Sequence, residues 1–168
     1  THILAALKGI GFNEVYEVAR AAEIVSEATR RIIEEGNFPK PLISSACPAV
    51  VRLIQVRFPN LIENILRLES PMEVAAKIIK KEVINKNIAQ PDDIGVFFIT
   101  PCAAKVTSVK APYEKEYSAV DGVIAINDIF LKLTNVISSI NPEKSLEQAG
   151  YEGIRWASSG GESLALGN

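Results

Sequence analysis

Twice in this chain an apolar run of strand character meets a turn that carries a cysteine, and a helix signal follows. Residues 41–48 read P-L-I-S-S-A-C-P, and residues 93–105 read D-I-G-V-F-F-I-T-P-C-A-A-K. Cys47 and Cys102 are the only cysteines of the 168 residues. This repeated plan constrains the fold more than any other feature. Short, continuously apolar strands belong to sheets covered on both faces, and parallel neighbours need a crossover long enough for a helix.

The rest of the chain supplies those helices. Residues 2–10 read as a short apolar helix that stops at Gly9-Ile10-Gly11, and the blunt start suggests an excised piece. Residues 13–18 (N-E-V-Y-E-V) alternate as a strand would. A long amphipathic helix follows, with Val18, Ala22, Val25, Thr29 and Ile32 inward and Glu23, Glu27, Arg30, Arg31 and Glu34 outward; Gly36-Asn37 ends it. Residues 42–45 are the next strand. Pro48 suits the first helical position, where an amide needs no partner, so a helix starts at Cys47-Pro48; Val51, Ile54 and Phe58 are its buried stripe.

Ser70 caps another helix, whose apolar face is Met72, Ala75, Ala76, Ile79 and Val83. Pro91-Asp92-Asp93 turns the chain into the second cysteine-bearing strand. Residues 110–117 read as a loop, residues 120–126 (V-D-G-V-I-A-I) as a fourth strand, and Asn127 as the cap of a helix built on Ile129, Leu133, Val136, Ile137 and Ile140. Residues 153–157 are strand-like, and S-S-G-G-E follows. The expected fold is a single α/β domain over residues 1–168, a parallel sheet of about four strands with helices on both faces.

Composition excludes several function classes. The 18 basic and 20 acidic residues leave a net charge of −2, mixed along the chain, which gives no electrostatic reason to expect nucleic acid or an anionic membrane. No apolar run approaches the roughly 18 residues of a spanning helix, and no signal-peptide pattern opens the chain. A cytosolic location is the expectation. Two cysteines are too few for a disulfide framework and read as buried thiols, redox thiols or metal ligands.

In open parallel sheets ligands bind outside the carboxyl ends of the strands. Both cysteines fall there, each near a helix N-terminus whose partial positive charge favours negatively charged sulfur, the form that metals bind. Lys105 adds a formal charge one turn beyond Cys102. The opposing reading is two small core hydrophobes, since free cysteine is among the most buried residue types. Ligand arithmetic also counts against a complete site. A structural zinc or an iron–sulfur cluster usually takes four Cys or His ligands, and this chain offers two Cys and His2.

The residues around the cysteines carry a resemblance. S-S-A-C-P (residues 44–48) resembles the first signature of the iron-only, or [FeFe], hydrogenase large subunit, T-S-C-C-P, and T-P-C-A-A-K (residues 100–105) resembles the second, M-P-C-x-x-K. The spacing between them is similar, as are F-P-N-L (residues 58–61) and S-P-M-E (residues 70–73), and the likeness runs from about Gly9 through the S-S-G-G-E tail.

The resemblance implies that Cys47 and Cys102 each ligate the [4Fe–4S] part of the H-cluster. Lys105 then hydrogen-bonds a cyanide ligand of the diiron part, and Ser70 lines the pocket. The family's third signature, E-x-x-x-C-x-x-x-C, supplies the other two cysteines and is absent here. The implied object is a fragment of a larger subunit, apo and inactive alone. Its full-length parent would catalyse or sense reversible H2 oxidation and proton reduction, with ferredoxin-like domains or ferredoxin as electron partner. A non-catalytic cluster-binding relative, of the prelamin-A recognition factor-like kind, is the alternative, and a structural module with two buried thiols the blandest.

The departures from the pattern concern protons. Ala46 stands where the family has its proton-shuttle cysteine, Leu66 falls near a serine of the usual proton route, Ser108 replaces a glutamate, and Thr100 replaces the methionine before Pro-Cys. Glu23 or Glu27 could substitute in a relay, although both belong to a stripe expected to be solvated helix face. The pattern fits the divergent, slow or sensory branch of the family.

Overall fold

The computed structural model describes residues 2–112, 116–140 and 148–167. The chain forms two compact units, one of Thr1–Glu17 with Ile79–Gln148 and the other of Val18–Ile78 with Ala149–Asn168.

The first unit holds the sheet. β1 (Phe97–Thr100) and β2 (Gly122–Ala125) run parallel, pairing Phe97 with Gly122, Phe98 with Val123, Ile99 with Ile124 and Thr100 with Ala125. Aromatic and β-branched residues fill β1, as a pleated, half-covered surface favours. The connection is α5 (Ala103–Lys110), which packs against β2; β2 leads directly into α6 (Ile126–Ile137), which packs against α1 (His2–Gly9). At Gly9 a Cβ would crowd Val136 Cγ1 of α6 at 3.3 Å and the Ile140 side chain beyond that helix at 2.5 Å. Ala5, Ala6, Leu7, Val120 and Ile129 are buried. Asp121 ties the entry of β2 to β1, accepting the Val96 amide at 2.7 Å and the Lys80 ammonium at 2.9 Å.

The second unit is helical. α2 (Val18–Glu35) buries Ala21, Ala22, Val25, Ser26 and Thr29 on one face, and Gly36 in the left-handed region (φ 67°) follows its last residue. α3 (Pro48–Arg57) runs into a 3-10 helix, Pro59–Asn64, and then a single parallel bridge joins Ile43 to Ile65. α4 (Pro71–Asn85) contributes its first half to this unit, where Met72, Ala75 and Ala76 join Val51, Ile54, Ile65 and Leu66 in the core. The tail forms α7 (Tyr151–Arg155) and α8 (Gly161–Ala165), both packed against α2.

A parallel sheet flanked by helices is thus the observed class, but the described residues hold two strands where about four were expected. Residues 13–17 form no strand and stay irregular, and Glu14 instead meets the Lys8 ammonium at 3.5 Å. Residues 42–45 contribute only the bridge at Ile43. Residues 153–157 are not a strand, because the Gly150 carbonyl accepts the Ile154 amide and winds the segment into α7. Phe58 leaves the core at 49% exposure as its backbone turns from α3 into the 3-10 helix. Asn127 lies inside α6, with Ala125 at the cap position. The loop expected at residues 110–117 falls partly outside the described residues.

Candidate metal centre

Each cysteine sits at the residue that caps a helix, and both thiols are exposed. The reading of buried core thiols is thereby overturned. Cys47 caps α3 with extended backbone (φ −99°, ψ 104°), Pro48 follows, and the Cys47 carbonyl accepts the Val51 amide at 3.1 Å. Cys102 caps α5 in nearly the same conformation (φ −96°, ψ 109°), and its carbonyl accepts the Lys105 amide at 3.1 Å. Neither thiol makes a capping bond, so the first-turn amides have no partner in the cap side chain and face the side where a negatively charged group is best stabilised.

Hydroxyl residues just upstream set both turns. Thr100, buried at the end of β1, accepts the Cys102 amide at 3.2 Å through Oγ1. Ser44 accepts the Ala46 amide at 3.1 Å and donates to the Glu162 carboxylate. Ser45 donates to the Leu68 carbonyl at 2.8 Å. Asn64 Nδ2 holds the Pro41 carbonyl at 2.8 Å, while the Ile43 amide donates to the Asn64 carbonyl and the Leu66 amide to the Ile43 carbonyl, each at 2.8 Å. The segment before Cys47 is therefore fastened at both ends without being a full strand.

Ser70 starts α4, its carbonyl accepting the Val74 amide, and is half-buried in the same unit as Cys47. Lys105 and Ser108 lie on α5 with Cys102 at its head, and the Ser108 hydroxyl donates to the Lys105 carbonyl at 2.9 Å, a local helix bond. Ala46 is half-buried beside Cys47, and Leu66 is buried. Among the described residues no three His, Cys, Asp or Glu side chains gather as a metal-binding group. The donors present suit an iron–sulfur cluster in kind, two exposed thiols, and supply half of the usual four.

Glu23 departs from its expected place on a solvated stripe. It is half-buried, and Oε1 accepts the Gly153 amide at 3.0 Å. Glu27 does remain outside, paired with Arg30 and Arg31. The link from Ser44 to Glu162 is not legible in the sequence. Two adjacent serines do mark a hydroxyl-rich turn, but no local signal points to a partner 118 residues away.

The model of a known protein family, "Iron only hydrogenase large subunit, C-terminal domain", matches residues 1–165. The chain belongs to this family. Among curated relatives it is 26% identical over 132 residues to iron hydrogenase 1 of Clostridium pasteurianum, covering 76% of this chain and 23% of that protein. It is 22% identical over 136 residues to the cytosolic Fe-S cluster assembly factor NAR1 of Yarrowia lipolytica, covering 76% of this chain and 28% of that protein. A solved structure of a variant of the [FeFe]-hydrogenase HydA1 from Chlamydomonas reinhardtii superposes with a TM-score of 0.67 at 21% identity, over 88% of this chain and 39% of that one. At that identity the likeness establishes the fold. The hydrogenase-domain chain thus spans about a quarter of the length of its curated relatives.

Proposed function

We propose that this chain is part of the cluster-binding core of an iron-only hydrogenase-type subunit, in which Cys47 and Cys102 ligate one [4Fe–4S] cluster. The observation that carries the reading is the matched pair of exposed thiols, each at the cap of a helix within the stretch that fits the family. Their exposure leaves both free to bind, and the helix ends favour thiolate-bound, negatively charged clusters. Lys105 and Ser70 then serve the diiron part, Lys105 as donor to a diatomic ligand and Ser70 as pocket wall. The remaining thiolates come from sequence of the third-signature type. When bound, the H-cluster supplies the exchange of protons and electrons with H2, and a ferredoxin-like group is the electron partner.

Position 46 argues for slow turnover or sensing. A methyl group carries no proton, and positioned acids or bases contribute about 10²–10⁴-fold each to such reactions. Ser108 is engaged in its own helix and Leu66 is buried and apolar, so neither restores a route. A second reading, a non-catalytic cluster protein, draws on the assembly-factor relatives and on the same Ala46.

Infrared and electron paramagnetic resonance spectroscopy of full-length protein made with the maturation machinery separate the two. Hydrogenase-type protein shows diatomic-ligand bands together with a cubane signal, and a non-catalytic relative shows the cubane alone. Cys47→Ala or Cys102→Ala removes the cubane signal under either. A cubane that survives both substitutions sinks the ligand assignment.

A further inference from the structure

We infer that Glu162 is a positioning residue for the Cys47 turn, acting through Ser44. This deepens the cluster reading and rests on it for its functional weight. The tail is held by α2, against which α7 and α8 pack. Gly153 lies so close to that helix that a Cβ would overlap the Ala19 carbonyl oxygen. Glu23 accepts the Gly153 amide at 3.0 Å, and Trp156 Nε1 donates to the buried Ser26 hydroxyl at 2.8 Å. α7 is thus fastened to α2 along its length. Gly161 continues the close packing, since a Cβ there would overlap the Arg155 carbonyl oxygen. Glu162 therefore leaves a backbone whose position is set by α2.

From there Glu162 accepts the Ser44 hydroxyl, and Ser44 Oγ accepts the Ala46 amide at 3.1 Å. A serine hydroxyl has one donor and two acceptor sites. Spending the donor on a carboxylate fixes the rotor and strengthens the oxygen as an acceptor for the amide behind it. Ala46 directly precedes Cys47, so the chain of bonds ends on the backbone that aims the thiol. No family position proposed above for ligand, pocket or proton route involves Glu162. The S-S-G-G-E tail thereby gains a role: it delivers a carboxylate to the loop of the first cysteine signature.

Hydrogen exchange of the full-length protein, followed by mass spectrometry, tests this. The peptide over residues 41–48 reports the turn, and the peptide over residues 100–105 is the internal control. Glu162→Ala and Ser44→Ala each accelerate exchange in the first peptide by about 3- to 10-fold, as loss of one net hydrogen bond does, and leave the second unchanged. Glu162→Gln, whose side-chain carbonyl still accepts from Ser44, stays within about 2-fold of the parent. Unchanged exchange in both alanine variants overturns the inference. So does parallel acceleration of both peptides, or a glutamine variant that behaves like alanine. Ser44→Ala breaks the link from its other end, which keeps the test decisive if Glu162→Ala unfolds the tail. Exchange is read whether or not iron is bound, so failure here is distinct from failure of Cys47→Ala to remove the cluster.

Discussion

Glu23 and Glu27 stand one turn apart on α2 and have different roles. Glu27 is half-exposed and held by Arg30 and Arg31, a surface network of small energetic consequence. Glu23 closes on the Gly153 amide, and one turn further along the helix Ser26, 1% exposed, accepts the only tryptophan. Trp156→Phe keeps an aromatic ring but removes the indole N–H that Ser26 accepts, so unfolding in urea followed by circular dichroism is expected to show a loss of about 1–2 kcal/mol. Asp121 gives a prediction in pH. Partial burial raises its carboxyl, but the Val96 amide and the Lys80 ammonium outweigh that and hold the pKa below the ordinary carboxylate value. A depressed folded-state pKa means that its stabilisation is complete above the unfolded value near 3.8 and is lost as pH falls through the lower folded value. With 44% of the side chain exposed, solvent screens the pair and the effect is small. Asp121→Asn is expected to flatten the acid limb of the stability profile between about pH 5 and pH 2, measured as denaturation midpoint against pH; an unchanged limb contradicts the assignment.

At the level of elements, the two cysteine-bearing turns were the most legible part of the chain, because proline after Cys47 and the strand-to-helix change at Cys102 are local signals. Elements defined by a distant neighbour were not legible. Residues 153–157 carry Ile154 and Trp156 in a run too short for periodicity to separate strand from helix. What decides is the close approach of Gly153 to α2, which no window of sequence contains. Gly153→Ala therefore tests the element. The added methyl meets backbone, which no rotamer change relieves, and a loss of about 3 kcal/mol is expected, at the upper end for overpacking. A thermal midpoint within a degree of the parent would show that α7 can shift instead. The caps give a prediction of opposite sign. Neither cysteine makes a capping bond, and serine is among the preferred cap residues, so Cys47→Ser and Cys102→Ser are each expected to stabilise the apo chain, by up to about 1 kcal/mol. Residues kept for packing lose stability on such a change, whereas residues kept for a ligand do not.

For the whole molecule, the cluster reading and the surface lead to the same requirement. The described part of the chain exposes large apolar side chains on several helices, among them Leu53 and Val56 on α3 and Phe130 and Leu131 on α6, and the chain spans only about a quarter of its curated relatives. Its two thiols are likewise half of what a [4Fe–4S] cluster takes. The sequence made that shortfall plain, because cysteines can be counted; it could not reveal the Ser44 and Glu162 bond, because that bond exists only once the tail has docked. Anaerobic reconstitution of the 168-residue chain with iron and sulfide, followed by size-exclusion chromatography with light scattering and iron analysis, measures the consequence. Two thiolates on one chain leave two iron corners without a protein ligand, so monomeric chain is expected to hold far less than four irons. Iron retained above that level should co-elute with dimer at about two irons per chain, since two copies together present four thiols. Four irons on a monomer would mean that other side chains complete the cage, and the four-cysteine form of the proposal would then be wrong.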